Sequence, residues 1–223
     1  MSSWLDLMIH PVMDPKVAYP DYCLLDLSVD NKELRDVNVG DANELGNYVN
    51  QVIVRNQATF AMGGYLEKRG IYARSAYFKP PTSARDERNI HLGLDIWGNA
   101  GTSVHAVMDG VVHSFANNTN HGDYGPTIIL EHQSQQQTIY SLYGHLSLES
   151  IAQLQLGQEV QGGQQIATLG TAEVNGDYPP HLHFQLIKNI GEYQGDYPGV
   201  CSLKELDFYS NNCPNPIFFL GIM

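Results

Sequence analysis

Basic residues are scarce in this chain, with 12 Lys and Arg against 24 Asp and Glu and a formal net charge of −12. Phosphate backbones are bound by basic surfaces, so nucleic acid is excluded as the expected partner, and adhesion to anionic lipid or wall polymers is disfavoured for the same reason. No apolar run approaches the roughly 20 residues that cross a bilayer. The opening Met1-Ser-Ser-Trp-Leu-Asp-Leu-Met8 has neither a basic start nor the apolar length of a signal peptide, so a cytoplasmic chain is expected. Cysteine is limited to Cys23, Cys201 and Cys213, none at CxxC spacing. An odd number cannot all pair internally, so free thiols in a reducing compartment are expected, with a Cys201–Cys213 disulfide as the alternative for an exported chain. The HExxH helix motif of many zinc peptidases is also missing, so any metal-dependent hydrolysis needs another proton acceptor.

What the chain does have is histidine in two suggestive places. His91-Leu-Gly-Leu-Asp95 and His181-Leu-His183-Phe184 supply the imidazoles and the carboxylate that a catalytic zinc takes as ligands, three protein groups with a fourth position left for water. Residues two apart on a strand share a face, so His181 and His183 project side by side while Leu182, Phe184 and Leu186 line the core side. One of the pair can then bind metal while the other stands beside it. His91 and Asp95 are four apart, too far on a straight strand, and Gly93 disfavours a helix. A bent or bulged strand entrance is therefore expected there.

The wider pattern carries a resemblance. His91-x-Gly-x-Asp95 is followed by Gly101 to Val112, Leu142-Tyr-Gly-His-Leu-Ser147, Gly157-Gln158, Gly163-Gln-Gln-Ile-Ala167 and Pro180-His-Leu-His-Phe184. In that order, over about residues 88 to 190, these resemble the lysostaphin/LytM type of zinc metalloendopeptidase, whose members mostly cut cell-wall peptides. The resemblance implies Zn2+ as cofactor, with His91, Asp95 and His183 as its ligands and His145 and His181 as metal-free histidines flanking a bound water. Either histidine suits the general base, since imidazole titrates near neutrality, and its protonated partner would steady the oxyanion. It further implies a peptide or peptidoglycan-like substrate. The chain departs from the family where Asn175-Gly-Asp-Tyr-Pro-Pro180 replaces the usual small-residue approach to the HxH. That bears on substrate preference and leaves metal binding untouched.

His10, His105, His113 and His132 have no partner motif and are expected to be packed or solvated, and His121 sits in a polar loop. Around the motif, short strands separated by Gly-rich turns predict a mainly β protein, with antiparallel sheets forming a sandwich or partly open barrel. Expected strands are Ile71–Phe78, Val104–Phe115, Thr127–His132, Gln137–Tyr143, Gln164–Leu169 and His181–Ile187, with Leu24–Val29 as a short one. Lys79-Pro80-Pro81 reads as an extended turn, Leu148–Leu156 as a short helix or turn, and Asp207–Met223 as an extended strap whose Ile217–Leu220 adds a strand. Residues 1–62 form a small α-containing N-terminal extension, with nine acidic residues before position 50 against three basic ones; residues 63–223 form the zinc peptidase domain. The extension's helix starts at Asp41, where Glu44 completes a capping-box signal ahead of Leu45, Tyr48, Val49, Val52 and Ile53.

Gly63-Gly-Tyr-Leu-Glu-Lys-Arg69 reads as a close-approach turn whose Tyr65 or Arg69 contacts a substrate carbonyl or carboxylate, or as an ordinary turn with solvated charges. Gly-Asp-Tyr recurs at 122–124, 176–178 and 195–197 and reads as turns with aromatic caps, the second forming a wall of the site. No apolar face long enough for an obligate dimer is evident, so a monomer without a membrane partner is expected. Two other readings stay open. One is a non-catalytic zinc-containing binding or regulatory module, and the other is a latent enzyme whose acidic N-terminal segment blocks the cleft through Asn43, Asn47 or Asn50.

Overall fold

The computed structural model describes residues 8–75, 78, 86–134 and 137–222. The Lys79-Pro80-Pro81 turn and the first seven residues lie outside that description. Asp41 opens helix α1 (Ala42–Arg55), its carboxylate accepting from the backbone N–H of Asn43 and Glu44 at 2.9 and 3.0 Å. Glu44 does not reach back to Asp41 as a capping box requires; its carboxylate takes the Asn38 N–H at 3.0 Å instead. The predicted apolar stripe is the buried one, with Leu45, Tyr48, Val49 and Val52 packed against Leu25, Leu27, Trp97 and Tyr178.

The strands follow in chain order: β1 (Tyr22–Leu24), β2 (Phe60–Gly63), β3 (Arg88–His91), β4 (Leu94–Trp97), β5 (Ser103–His105), β6 (Gly110–Asn118), β7 (Gly125–Gln133), β8 (Thr138–Gly144), β9 (Glu159–Val160), β10 (Gln165–Thr168), β11 (His181–Ile187) and β12 (Val200–Ser202). Eight of them form one sheet in the order β1-β2-β4-β11-β8-β7-β6-β9. Every pair in it is antiparallel except β1 with β2. Two ribbons, β5 with β10 and β3 with β12, complete the structure. The fold is mainly β, as expected, and the large sheet does not close into a barrel. Residues before 63 are built into that sheet through β1 and β2.

Alternation along the central strands sorts the two faces. Leu94, Ile96, Leu182, Phe184 and Leu186 are fully buried on one face, sharing a core with Val104 and Ala167 of the β5–β10 ribbon. Each such side chain contributes about 1.5–3 kcal/mol. The opposite positions, Asp95, Trp97, His181 and His183, point to the other face. Their registration is direct, with His183 opposite Asp95 and His181 opposite Trp97.

Several local expectations are corrected. The Val104–Phe115 run is two strands, because a turn over 107–109 separates β5 from β6. Ile71–Arg74 is a 3-10 turn that buries Ile71 and Tyr72, and β1 ends before most of Leu24–Val29. The C-terminal strap is helical: α2 (Leu206–Asn212) is followed by α3 (Pro216–Phe219). Asn215 caps α3 by accepting from Ile217 N–H, and Pro216 occupies the first helical position, where its missing donor costs nothing. Cys23, Cys201 and Cys213 are all buried free thiols. Among the described residues no helix is long and apolar enough to cross a membrane.

Candidate metal centre and active site

The chain between His91 and Asp95 breaks at Leu92-Gly93, so the two residues leave different strands and still converge. His91 ends β3, whereas Asp95 lies in β4 of the main sheet. Gly93 permits the convergence, since a Cβ there would stand 2.6 Å from the His183 ring and 2.9 Å from the Phe184 carbonyl. Its smallness serves packing, with the two strand ends crossing over an imidazole.

Three acceptor atoms meet at one point. His91 Nε2 lies 2.8 Å from His183 Nδ1 and 3.2 Å from Asp95 Oδ1, and His183 Nδ1 lies 3.1 Å from the same oxygen. Outer partners fix what each atom presents. His91 donates its Nδ1–H to the Gly64 carbonyl at 2.9 Å, leaving a lone pair on Nε2. His183 donates Nε2–H to Gln185 Oε1 at 2.9 Å, leaving a lone pair on Nδ1. The Gln185 amide is itself oriented, as its Nε2 donates to the Pro198 carbonyl and the Cys213 sulfur. Three facing lone pairs with no proton among them repel one another, and a divalent cation resolves that. The donor set of two imidazoles and a carboxylate suits zinc. At zinc–ligand distances near 2.0–2.1 Å, neighbouring tetrahedral ligands stand about 3.3 Å apart, close to the observed edges.

Burial governs the electrostatics. Each of His91, Asp95, His145, His181 and His183 is 5% exposed or less. Burial, with the nearby Arg69 charge, pushes His91 down to about 4. Burial also pushes His181 down to about 4, against the pull of Asp95. Burial of Asp95 acts in the opposite sense, yet His91 and Arg69 hold its carboxyl well below the usual range. His145 is held well below an ordinary imidazole by burial and then by His181 and His183.

His145 and His181 stand beside the three-atom point. Their ring centroids are 4.1 Å apart, and His181 Nε2 lies 3.9 Å from Asp95 Oδ1. Each ring uses Nδ1 on a backbone carbonyl, His145 on Asn175 at 2.8 Å and His181 on Pro179 at 2.9 Å, so each keeps its Nε2 lone pair as a proton acceptor. Trp97 stacks on His181 at 4.0 Å and 16°, a consequence of their cross-strand register. His145 adopts φ +63°, unfavourable for any residue but glycine.

A cavity of about 190 Å3 includes all five of these residues in its lining. The three Gly-Asp-Tyr segments turn where expected, with φ of +83°, +84° and +68° at Gly122, Gly176 and Gly195. Their tyrosines Tyr124, Tyr178 and Tyr197 all line this cavity, not just the second one. The Tyr124 hydroxyl donates to the Tyr197 carbonyl and the Tyr178 hydroxyl to the Gly122 carbonyl, which ties the turns together. The sequence signal for this convergence was the recurrence itself, and the signal for Gln185 was its place two residues beyond His183 on the same face.

Other candidates fall away. Arg69 is held by Asp95 and Glu67, and the Tyr65 hydroxyl donates to the Cys213 carbonyl at 2.7 Å, so neither matches the expected substrate contact or a solvated charge run. Asn43, Asn47 and Asn50 lie on the exposed face of α1 and none lines the cavity, so the blockade through them has no structural support. His105 and His132 are packed and hydrogen-bonded, and His121 is exposed in its loop.

No curated protein matches the chain. Residues 89–194 match Peptidase family M23. Among solved structures, the chain is similar to the antimicrobial peptidase lysostaphin from Staphylococcus simulans at 24% identity, covering 66% of this chain and 48% of that one with a TM-score of 0.42. It is also similar to a catalytic-domain variant of the prophage-encoded M23 protein EnpA from Enterococcus faecalis, at 20% identity over 56% of this chain and 83% of that one, TM-score 0.39. A zinc-containing peptidase from Vibrio cholerae is 28% identical over 49% of this chain and 30% of its own, TM-score 0.36. The chain spans under half the length of the first solved structures it matches. Residues 89–194, the part of the chain that matches Peptidase family M23, hold all five histidine and aspartate positions of the site.

Proposed function

We propose that this protein is a zinc-dependent endopeptidase that hydrolyses a peptide amide bond, with peptidoglycan-type or Gly/D-amino-acid peptides as its substrate class. The observation that carries the reading is the convergence of His91 Nε2, Asp95 Oδ1 and His183 Nδ1 within 3.2 Å of one another, beside two histidines with unused Nε2 atoms. Zinc held there would polarise the scissile carbonyl and make water nucleophilic at neutral pH. The chain's own residues do the rest. Gly64 and Gln185 hold the ligand rings in the tautomers that face the centre. His145 and His181, neutral and fixed by their Nδ1 contacts, are placed to take the proton of the attacking water at Nε2. Once protonated, the same Nε2 becomes a donor and can return the proton to the leaving amine. Trp97, stacked on the His181 ring, limits its rotation, and the three tyrosines restrict the approach to the reacting bond.

The test is metal content and turnover on glycine- and D-amino-acid-containing peptides, measured side by side. His183→Ala is expected to lose both the zinc and the activity, and His145→Ala to keep about one zinc and lose turnover. Equal metal loss in the two variants would contradict the division of roles. Full zinc with no cleavage of any peptide offered would favour a binding module.

A further inference from the structure

Glu67 and Arg69 lie ahead of residues 89–194, the part of the chain that matches the family. They belong to the Gly63–Arg69 segment, which runs alongside β3. Leu66 N–H donates to the His91 carbonyl, His91 N–H to the Glu67 carbonyl and Arg69 N–H to the Asn89 carbonyl, each at 2.9 Å. The segment is thus clamped to the strand that carries His91, and two of its charged side chains turn inward. Arg69 is 4% exposed. Its Nη1 donates to Asp95 Oδ2 and its Nε to Glu67 Oε2, while Glu67 Oε1 accepts the Leu27 N–H at 3.0 Å. Gly64 makes room for this. Its φ is +104°, and a Cβ there would fall 2.0 Å from Arg69 Nη2 and 2.9 Å from His91 Nδ1. One glycine therefore admits the guanidinium and, through its carbonyl, orients a ligand ring.

We infer that Arg69, braced by Glu67, is a positioning residue of the metal centre: by occupying Asp95 Oδ2 it leaves Oδ1 as the single carboxylate oxygen facing His91 Nε2 and His183 Nδ1. The inference rests on the zinc-peptidase reading of that site. An unrestrained carboxylate can turn both oxygens to a cation, and in a tetrahedral site the second oxygen takes the position that water needs. The guanidinium removes that option. Its planar fork spans two carboxylates at once, which a lysine ammonium does not reproduce. The part of the chain before the family match thereby completes a site whose ligands all lie within it.

The sign of the effect separates positioning from charge. A guanidinium acting only through its charge repels a cation, so its removal would tighten zinc binding. A positioning residue does the reverse, because the carboxylate it releases loses its orientation; loss of such an outer partner weakens metal binding about 10–100-fold. The test is a competition titration of zinc against a chromophoric chelator, together with the visible spectrum of the cobalt(II)-substituted protein. Arg69→Gln is expected to bind zinc about 10–100-fold more weakly, and its cobalt band to lose intensity as coordination rises above four. Arg69→Lys should fall between that variant and the unaltered chain. Circular dichroism establishes that each variant is folded. Should Arg69→Gln fail to fold, Glu67→Gln decides, since it keeps the arginine and removes only its brace, and weaker zinc binding is again expected. Unchanged or tighter zinc binding with an unchanged cobalt band, in whichever of these variants folds, would overturn the positioning role. Failure of the unaltered chain to bind zinc would overturn the metal-centre reading itself, and the inference with it.

Discussion

Replacing His145 by glycine and by alanine should reverse the usual order of stability of those two residues. At an ordinary position alanine is better than glycine by about 0.5–1 kcal/mol, because glycine loses more backbone freedom on folding. His145 has φ +63°, where a side chain costs about 1–2 kcal/mol and glycine pays nothing. Both variants delete the same buried imidazole and the same 2.8 Å contact with the Asn175 carbonyl, so those losses cancel in the comparison. Taking the middle of each range, what remains favours glycine by about 0.75 kcal/mol. With a urea dependence of about 2 kcal/mol per molar, the glycine variant should unfold at a midpoint about 0.3–0.5 M higher. Both proteins should retain zinc and lose turnover, since the ring removed is not among the three ligands proposed. A midpoint for His145→Ala equal to or above that of His145→Gly would refute the reasoning. It would mean that the backbone at this position relaxes when the imidazole is gone, and that the strain is not imposed by the fold around it. The agreement expected would identify His145 as a residue held in an unfavourable conformation because its ring is needed where the cavity places it.

Two further outcomes follow from the same geometry. Zinc at a thousand times its dissociation constant should stabilise the protein by about 4 kcal/mol. For a chain of this size that corresponds to roughly 8–16 °C in melting temperature; a chelator should remove this increment from the wild-type protein and leave the His183→Ala melt unmoved, and a wild-type melt indifferent to chelator would count against a bound metal. Acid should weaken the fold partly through His132, which is buried and uses Nδ1 on the Asp109 carbonyl and Nε2 on the Ser141 hydroxyl. Burial holds its pKa below the ordinary value. Above about pH 6.5 neither state carries the proton; below it the unfolded chain binds one that the folded chain refuses, so stability falls as pH falls, by up to about 1.4 kcal/mol per unit. Urea midpoints between pH 7.5 and 5 should therefore decline less steeply in His132→Asn than in the wild type, and parallel slopes would refute the assignment.

Much of the fold could be read from pattern because alternation and turn chemistry are local. The predicted span His181–Ile187 is β11 to the residue, and the helix begins at the capping Asp41, since both signals lie within a few positions of the element they specify. Predictions that needed non-local information went astray. Ile71 and the residues after it have strand-like composition, yet form a 3-10 turn because Ile71 and Tyr72 are drawn inward over the cavity. The C-terminal segment reads as a strap, yet Asn215 and Pro216 turn its end into a short helix, after which buried Leu220 and Ile222 join the main core. Arg69 shows the same limit at the site. Its run of charged neighbours suggests a solvated turn, and only the pairing of that segment with β3 places the guanidinium on Asp95.

The sequence by itself determined which residues could hold a metal and which could move a proton, because ligand chemistry depends on residue type and because a strand's period of two places His181 and His183 on one face whatever surrounds it. Tertiary structure decided what each atom presents. The break at Gly93, the register of β11 against β4, the carbonyls of Gly64, Asn175 and Pro179, and the amide of Gln185 select the ring nitrogen that faces the centre. Those partners come from positions 2 to 30 residues away along the chain, and a hydrogen bond is fixed by distance and angle, which no spacing in the sequence contains.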